Sequence, residues 1–124
     1  MKKYDKESVI EQFEKSGSIM YRATLDGDYK ANNREGDKLT SIFKVFEKDN
    51  NLADECLSRL IQSKNIVVRT EAAAYYLALR KNVDIAEKTL EEIMNCEENG
   101  IFGFNAKMIL KVWWDKGELL IYQK

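Results

Sequence analysis

Ser63 to Leu79 reads SKNIVVRTEAAAYYLAL, and the fold turns on this stretch. After the polar opening, only Arg69 and Glu71 carry charge in a run of β-branched, alanine and aromatic residues. A half-buried strand would alternate polar and apolar positions, and this segment does not. Read as a helix, it is apolar on nearly every side, and such a helix is buried on several sides. Asn65 is placed to cap its start. Ala72, Ala73 and Ala74 let neighbouring backbones come close, while Tyr75, Tyr76, Leu77 and Leu79 fill the gaps. The segment reads as the central helix of a stack.

Short polar clusters mark the breaks on either side: Gly27-Asp28, Asp49-Asn50-Asn51, Lys81-Asn82, Asn99-Gly100 and Lys116-Gly117. Between them apolar residues recur at helical spacing. Ile10, Phe13, Gly17 and Met20 mark a first helix, and Leu39, Ile42, Phe43 and Phe46 a second. Ala53, Cys56, Leu57, Leu60 and Ile61 mark a third. Beyond the central segment, Ala86, Leu90, Ile93 and Met94 mark one more, and Phe102, Ala106, Ile109, Leu110 and Trp113 the last. The tail Leu119-Leu120-Ile121-Tyr122 fits either docked extended chain or continued helix.

A shift of thirty-three residues superimposes apolar positions: Ala53 on Ala86, Leu57 on Leu90, Leu60 on Ile93, Ile61 on Met94. Past the turn, Val68 falls on Ile101, Ala73 on Ala106, Tyr76 on Ile109 and Leu77 on Leu110. Two antiparallel helices joined by a polar turn, at a period of roughly 33 to 47 residues, is the pattern of a helical solenoid. Any two amphipathic hairpins of equal length would also match in this way. The ankyrin and tetratricopeptide signatures are absent. The expected division is one domain over residues 1–124. Residues 1–50 supply capping helices, 52–80 and 84–115 two repeats, and 117–124 a tail.

Composition narrows the function classes. The 124 residues are 44% hydrophobic and 33% charged, with 20 basic residues nearly cancelling 21 acidic ones. A net charge of −1 argues against a general nucleic-acid or membrane binder, because phosphate binding is mostly neutralisation by lysine and arginine. The longest apolar run falls well short of the roughly 18 residues of a membrane span. There is no histidine, which removes the commonest general base and the commonest transition-metal ligand. Cys56 and Cys96 have no metal-site spacing. With no signal-like N-terminus, they read as two reduced, buried thiols in a cytoplasmic protein.

Val68-Arg69 followed by Ala72-Ala73 resembles the second helix of a HEAT repeat. That resemblance implies a structural arginine tying adjacent turns together by hydrogen bonds. A wider resemblance rests on LDGDYKANNREGDKL (Leu25 to Leu39), VVRTEAAAYYL, and GIFGFNAKMILKVWW (Gly100 to Trp114). Together these look like a bacterial family of small HEAT-like proteins known only as a domain of unknown function. The resemblance implies an all-helical fold, the bacterial cytosol and no catalytic residues. Some similar proteins accompany bacterial toxins as immunity proteins.

Three constellations are candidates for chemistry. Asp26, Asp28 and Asp37 lie close in sequence and have the residue type for a divalent-metal or acid–base site. Asp28 after a glycine also suits a helix cap. From Asp84 to Glu98, six carboxylates face Lys88 alone. On a helical wheel Asp84, Glu87, Glu91 and Glu98 share one side, away from the apolar stripe. Such a row is either a plain solvated face or a surface for a cationic partner. Trp113 continues the apolar stripe of the last helix and reads as core. Trp114 diverges from it, as a surface anchor or as packing under the tail.

The expectation is therefore all-α: a short right-handed HEAT-like helical-repeat stack of five to seven antiparallel helices. Its leading function is non-enzymatic protein binding, in concrete form an immunity protein that occludes the active site of a cationic toxin domain such as a nuclease. Asp84, Glu87, Glu91, Glu98 and Trp114 are the partner-binding residues, with no cofactor and no membrane partner. The alternatives are a metal- or carboxylate-dependent enzyme and a nucleic-acid-binding helical repeat, the latter disfavoured by charge.

Overall fold

The apolar stretch folds as helix α4, Ile66–Leu79, with ten of its fourteen residues buried. Asn65 caps it, its side-chain oxygen accepting from the backbone N–H groups of Val67 (2.8 Å) and Val68 (3.3 Å). The computed structural model describes residues 4–123. Within them the chain forms six α-helices, one short 3-10 turn and no strand. The all-helical expectation holds.

Two long helices precede the centre: α1, Lys6–Asp26, and α2, Tyr29–Lys48. Asp5 and Ser8 form a reciprocal capping box at the start of α1. Gly27 ends it in the left-handed conformation, φ 72°. Asp28 then caps α2 through the Ala31 N–H, at 3.1 Å. Asp49 closes α2 and caps α3, Asn50–Leu60, through the Leu52 N–H. Helices α5, Val83–Asn95, and α6, Ile101–Lys116, follow α4 as an antiparallel run. The turn Glu97–Asn99 separates them.

Tyr75 is the packing centre. Its ring meets Phe13 of α1 at 5.6 Å, and Phe43 and Phe46 of α2 at 4.8 and 6.4 Å, all edge-on. Burial of each large ring stabilises by about 1.5–3 kcal/mol, and edge-to-face geometry adds to that. One close approach fixes α1 on α4. A Cβ built on Gly17 would lie 2.3 Å from Val68 Cγ2, so only glycine fits there without movement. A buried polar knot joins α1 to α2. Ser16 donates to Glu35 at 2.9 Å, and Lys38 and Arg34 reach the other oxygen of the same carboxylate. Burial acts to raise the Glu35 pKa, but the Ser16, Lys38 and Arg34 hydrogen bonds outweigh it, and the net shift is downward.

Several sequence expectations change. The equivalence of α3–α4 with α5–α6 is partial, since α4 packs far more against α5 than against α3. Ala53, Leu57 and Leu60 are buried, as are Ala86, Leu90 and Ile93. Val68, however, is fully buried while its counterpart Ile101 is 50% exposed. Cys56 is buried, and burial pushes its thiol up to about 11. Cys96 is exposed rather than buried. The reason is that α5 stops at Asn95 and Cys96 sits on the extended backbone of the turn beyond it. Arg69 has the expected structural role, donating to the carbonyls of Ser63 (3.0 Å) and Lys64 (3.5 Å). Past Gly117 the tail is not helical. It lies against α2 as irregular chain, with Tyr122 edge-on to Phe43 and its hydroxyl bonded to Glu47.

Candidate functional site

A groove runs over α4, with α1 and α2 on one side and α6 and the tail on the other. One recess, of about 360 Å³, is lined by Met20 and Thr24 of α1, Asn32 of α2, Val67, Thr70 and Glu71 of α4, and Phe102, Asn105, Met108 and Ile109 of α6. A second, of about 370 Å³, continues past Asn33, Gly36, Asp37 and Thr40 of α2 towards Leu119, Leu120 and Ile121. Asn32, Glu71 and Ile109 line both recesses. The helical period makes this arrangement. Val67, Thr70, Glu71 and Ala74 share one side of α4, the side that neither α3 nor α5 covers.

Glu71 dominates the groove electrostatically. Burial pushes its carboxyl up to about 7, because the low-dielectric surroundings disfavour the charged form. It forms no ion pair or hydrogen bond with another described residue. Asn32 donates from Nδ2 to Thr24 Oγ1 at 3.2 Å, while its buried Oδ1 accepts no hydrogen bond from the described residues. The Thr70 hydroxyl is spent on the carbonyl of Ile66, at 2.8 Å. The rim is apolar. Met108 of α6 lines the groove itself, Tyr21 and Leu25 of α1 and Ile101 of α6 line an open recess that meets it at Phe102, and Phe104 stands on α6; each is at least 39% exposed. Ile101, Phe104 and Met108 recur at the spacing of one helical face. Tyr21 stacks on Phe102 at 4.7 Å and bridges α1 to α6 at one end of the groove.

The residues singled out from sequence fall elsewhere. Asp84 and Glu91 are exposed on α5. Glu87 is half-buried and already engaged. It accepts the indole N–H of Trp113 at 3.0 Å and that of Trp114 at 2.8 Å. The structure thus joins Glu87 to Trp114, two residues assigned to separate patches. Trp114 is 54% exposed and does not pack under the tail. Trp113 is half-buried rather than core, with Arg80 over its ring at 5.6 Å. Glu98 does not continue the α5 row: it belongs to the 3-10 turn, because the helix ends three residues earlier. There it lines an open recess with Tyr21, Leu25, Lys64, Arg69 and Ile101. Asp26 closes α1, Asp28 caps α2 and Asp37 stands exposed in mid-helix. No three or more His, Cys, Asp or Glu side chains gather as a metal-holding group among the described residues.

The groove is not legible in the sequence because its parts come from five segments, α1, α2, α4, α6 and the tail. One signal was present: Glu71 is the only acid in a helix otherwise apolar almost all round. No described helix is long and apolar enough to cross a membrane. Comparisons with protein families, with curated proteins and with solved structures found no match.

Proposed function

We propose that the chain is a non-enzymatic protein-binding module, and in concrete form a cytoplasmic immunity protein that neutralises a bacterial toxin domain by covering its active site. The observation that carries this reading is the apolar rim around a concave, acid-floored groove. Tyr21, Leu25, Ile101, Phe104 and Met108 are exposed together, and clustered exposed apolar side chains rimmed by polar ones mark docking surfaces. Asp84 and Glu91 add a carboxylate flank on α5, which favours encounter with a cationic surface. No cofactor enters the reading.

The test is growth rescue. Co-expressed with a candidate toxin domain taken from the genes flanking its own, the chain is expected to restore growth, and Phe104→Asp together with Met108→Lys to abolish rescue while leaving the helical circular-dichroism signal intact. Asp84→Lys with Glu91→Lys slows association several-fold at low salt and has little effect at high salt, where charge steering is screened. Glu87 is kept out of that variant because it holds the two tryptophans. Full rescue by the Phe104 and Met108 variant would remove the rim from the account.

A further inference from the structure

The groove floor holds two polar groups that the fold leaves unused. Glu71 has neither a cation nor a donor among the described residues, and the buried Asn32 Oδ1 accepts nothing. A desolvated acceptor without a donor is costly, and native proteins keep few of them. Two from different helices border the same recesses. The titratable groups that line the recesses with Glu71 are Asp37 of α2 and Tyr75 of α4. Neither is cationic, and among the described residues no lysine or arginine lines either recess. The potential in the groove is therefore negative, and what it lacks is a donor-rich cation.

Resting on the reading of this chain as a protein-binding module, we propose that the groove receives an arginine side chain of the partner, its guanidinium set between the Glu71 carboxylate and Asn32 Oδ1. The guanidinium is planar and forked, so it can meet a carboxylate and a separate amide oxygen together. It is also more weakly hydrated than an ammonium and cheaper to bring into a half-buried site. Its aliphatic stem lies along Met108 and Ile109. Because Glu71 titrates near neutrality when free, docking of the cation expels its proton, and binding strengthens as pH rises.

The probe is N-acetyl-L-arginine amide, followed by NMR on the whole chain with the glutamate carboxyl carbons labelled. The expected result is millimolar binding that shifts the Glu71 carboxyl and the Asn32 side-chain amide and lowers the Glu71 pKa. Binding should be weaker at about pH 5 than at about pH 8. Glu71→Gln should weaken it at least tenfold, and Asn32→Ala should weaken it several-fold. The blocked citrulline counterpart, equal in shape but neutral, should cause no shift. Shifts of equal size from citrulline, unchanged binding in Glu71→Gln, or no shift at saturating probe would each overturn the proposal. Equal binding of N-acetyl-L-lysine amide would overturn the guanidinium assignment. A failure here with rim-dependent growth rescue intact leaves the protein-binding reading standing; probe binding without any growth rescue keeps the guanidinium site and removes the toxin-neutralising form of that reading.

Discussion

Glu71 shows how a single side chain makes stability depend on pH. Its folded pKa is raised by burial from 4.5 to about 7. For an acid shifted upward, the folded state is penalised wherever the carboxyl is ionised. Stability is unaffected below the unfolded value and falls as pH rises from about 4.5 through 7. Glu71→Gln should therefore stabilise the protein by roughly 1–3 kcal/mol at pH 8 and by little at pH 4. Urea titrations at the two pH values check this, and an equal gain at both would contradict it. Glu35 has the opposite sign. Its pKa is depressed in the folded state, so its contribution is present above the ordinary glutamate range and is lost on acidification through the folded value. The residues legible beforehand were those whose role is local. Asn65 and Asp28 cap the next turn, and Arg69 bonds the turn it follows. Glu71 and Asn32 were not legible as a pair, because their meeting depends on how α2 lies against α4.

At the scale of elements, most of the fold could be read from periodicity. The stripes of α2, α3 and α5 bury the positions their spacing marks: Leu39, Ile42 and Phe46, then Ala53, Leu57 and Leu60, then Ala86, Leu90 and Ile93. Helix ends were harder. The α5 carboxylate pattern runs on to Glu98 in the sequence, but Cys96 takes an extended backbone and breaks it, and nothing in the side-chain periodicity announces that. Gly17 was marked only as a stripe position, yet it lets α1 approach Val68 of α4. Gly17→Ala should destabilise by about 1–3 kcal/mol through overpacking, despite the better helix propensity of alanine. Val68→Ala made in the same chain should recover part of that loss. A double-mutant cycle by thermal unfolding measures the coupling, and additive effects would show that α1 shifts freely on α4.

For the molecule as a whole, long-range contacts close the stack on itself. Tyr21 on Phe102 ties α1 to α6. At the other end Tyr122 reaches α2, edge-on to Phe43 and under Lys44 Nζ at 4.8 Å. Tyr122→Ala should cost roughly 1–3 kcal/mol and raise hydrogen exchange at Leu119 to Ile121 while sparing α3. Uniform exchange throughout would mean the tail is not a separate strap. The docked tail also orders events during synthesis. Half of the groove is walled by Leu119, Leu120 and Ile121 against residues of α2, which lie some eighty positions earlier in the chain. That wall cannot assemble until the ribosome has released the final turn of α6 and the residues after it. A nascent chain stalled before that point carries α4 with one flank of the groove missing, and the enclosed recess forms late and in one step.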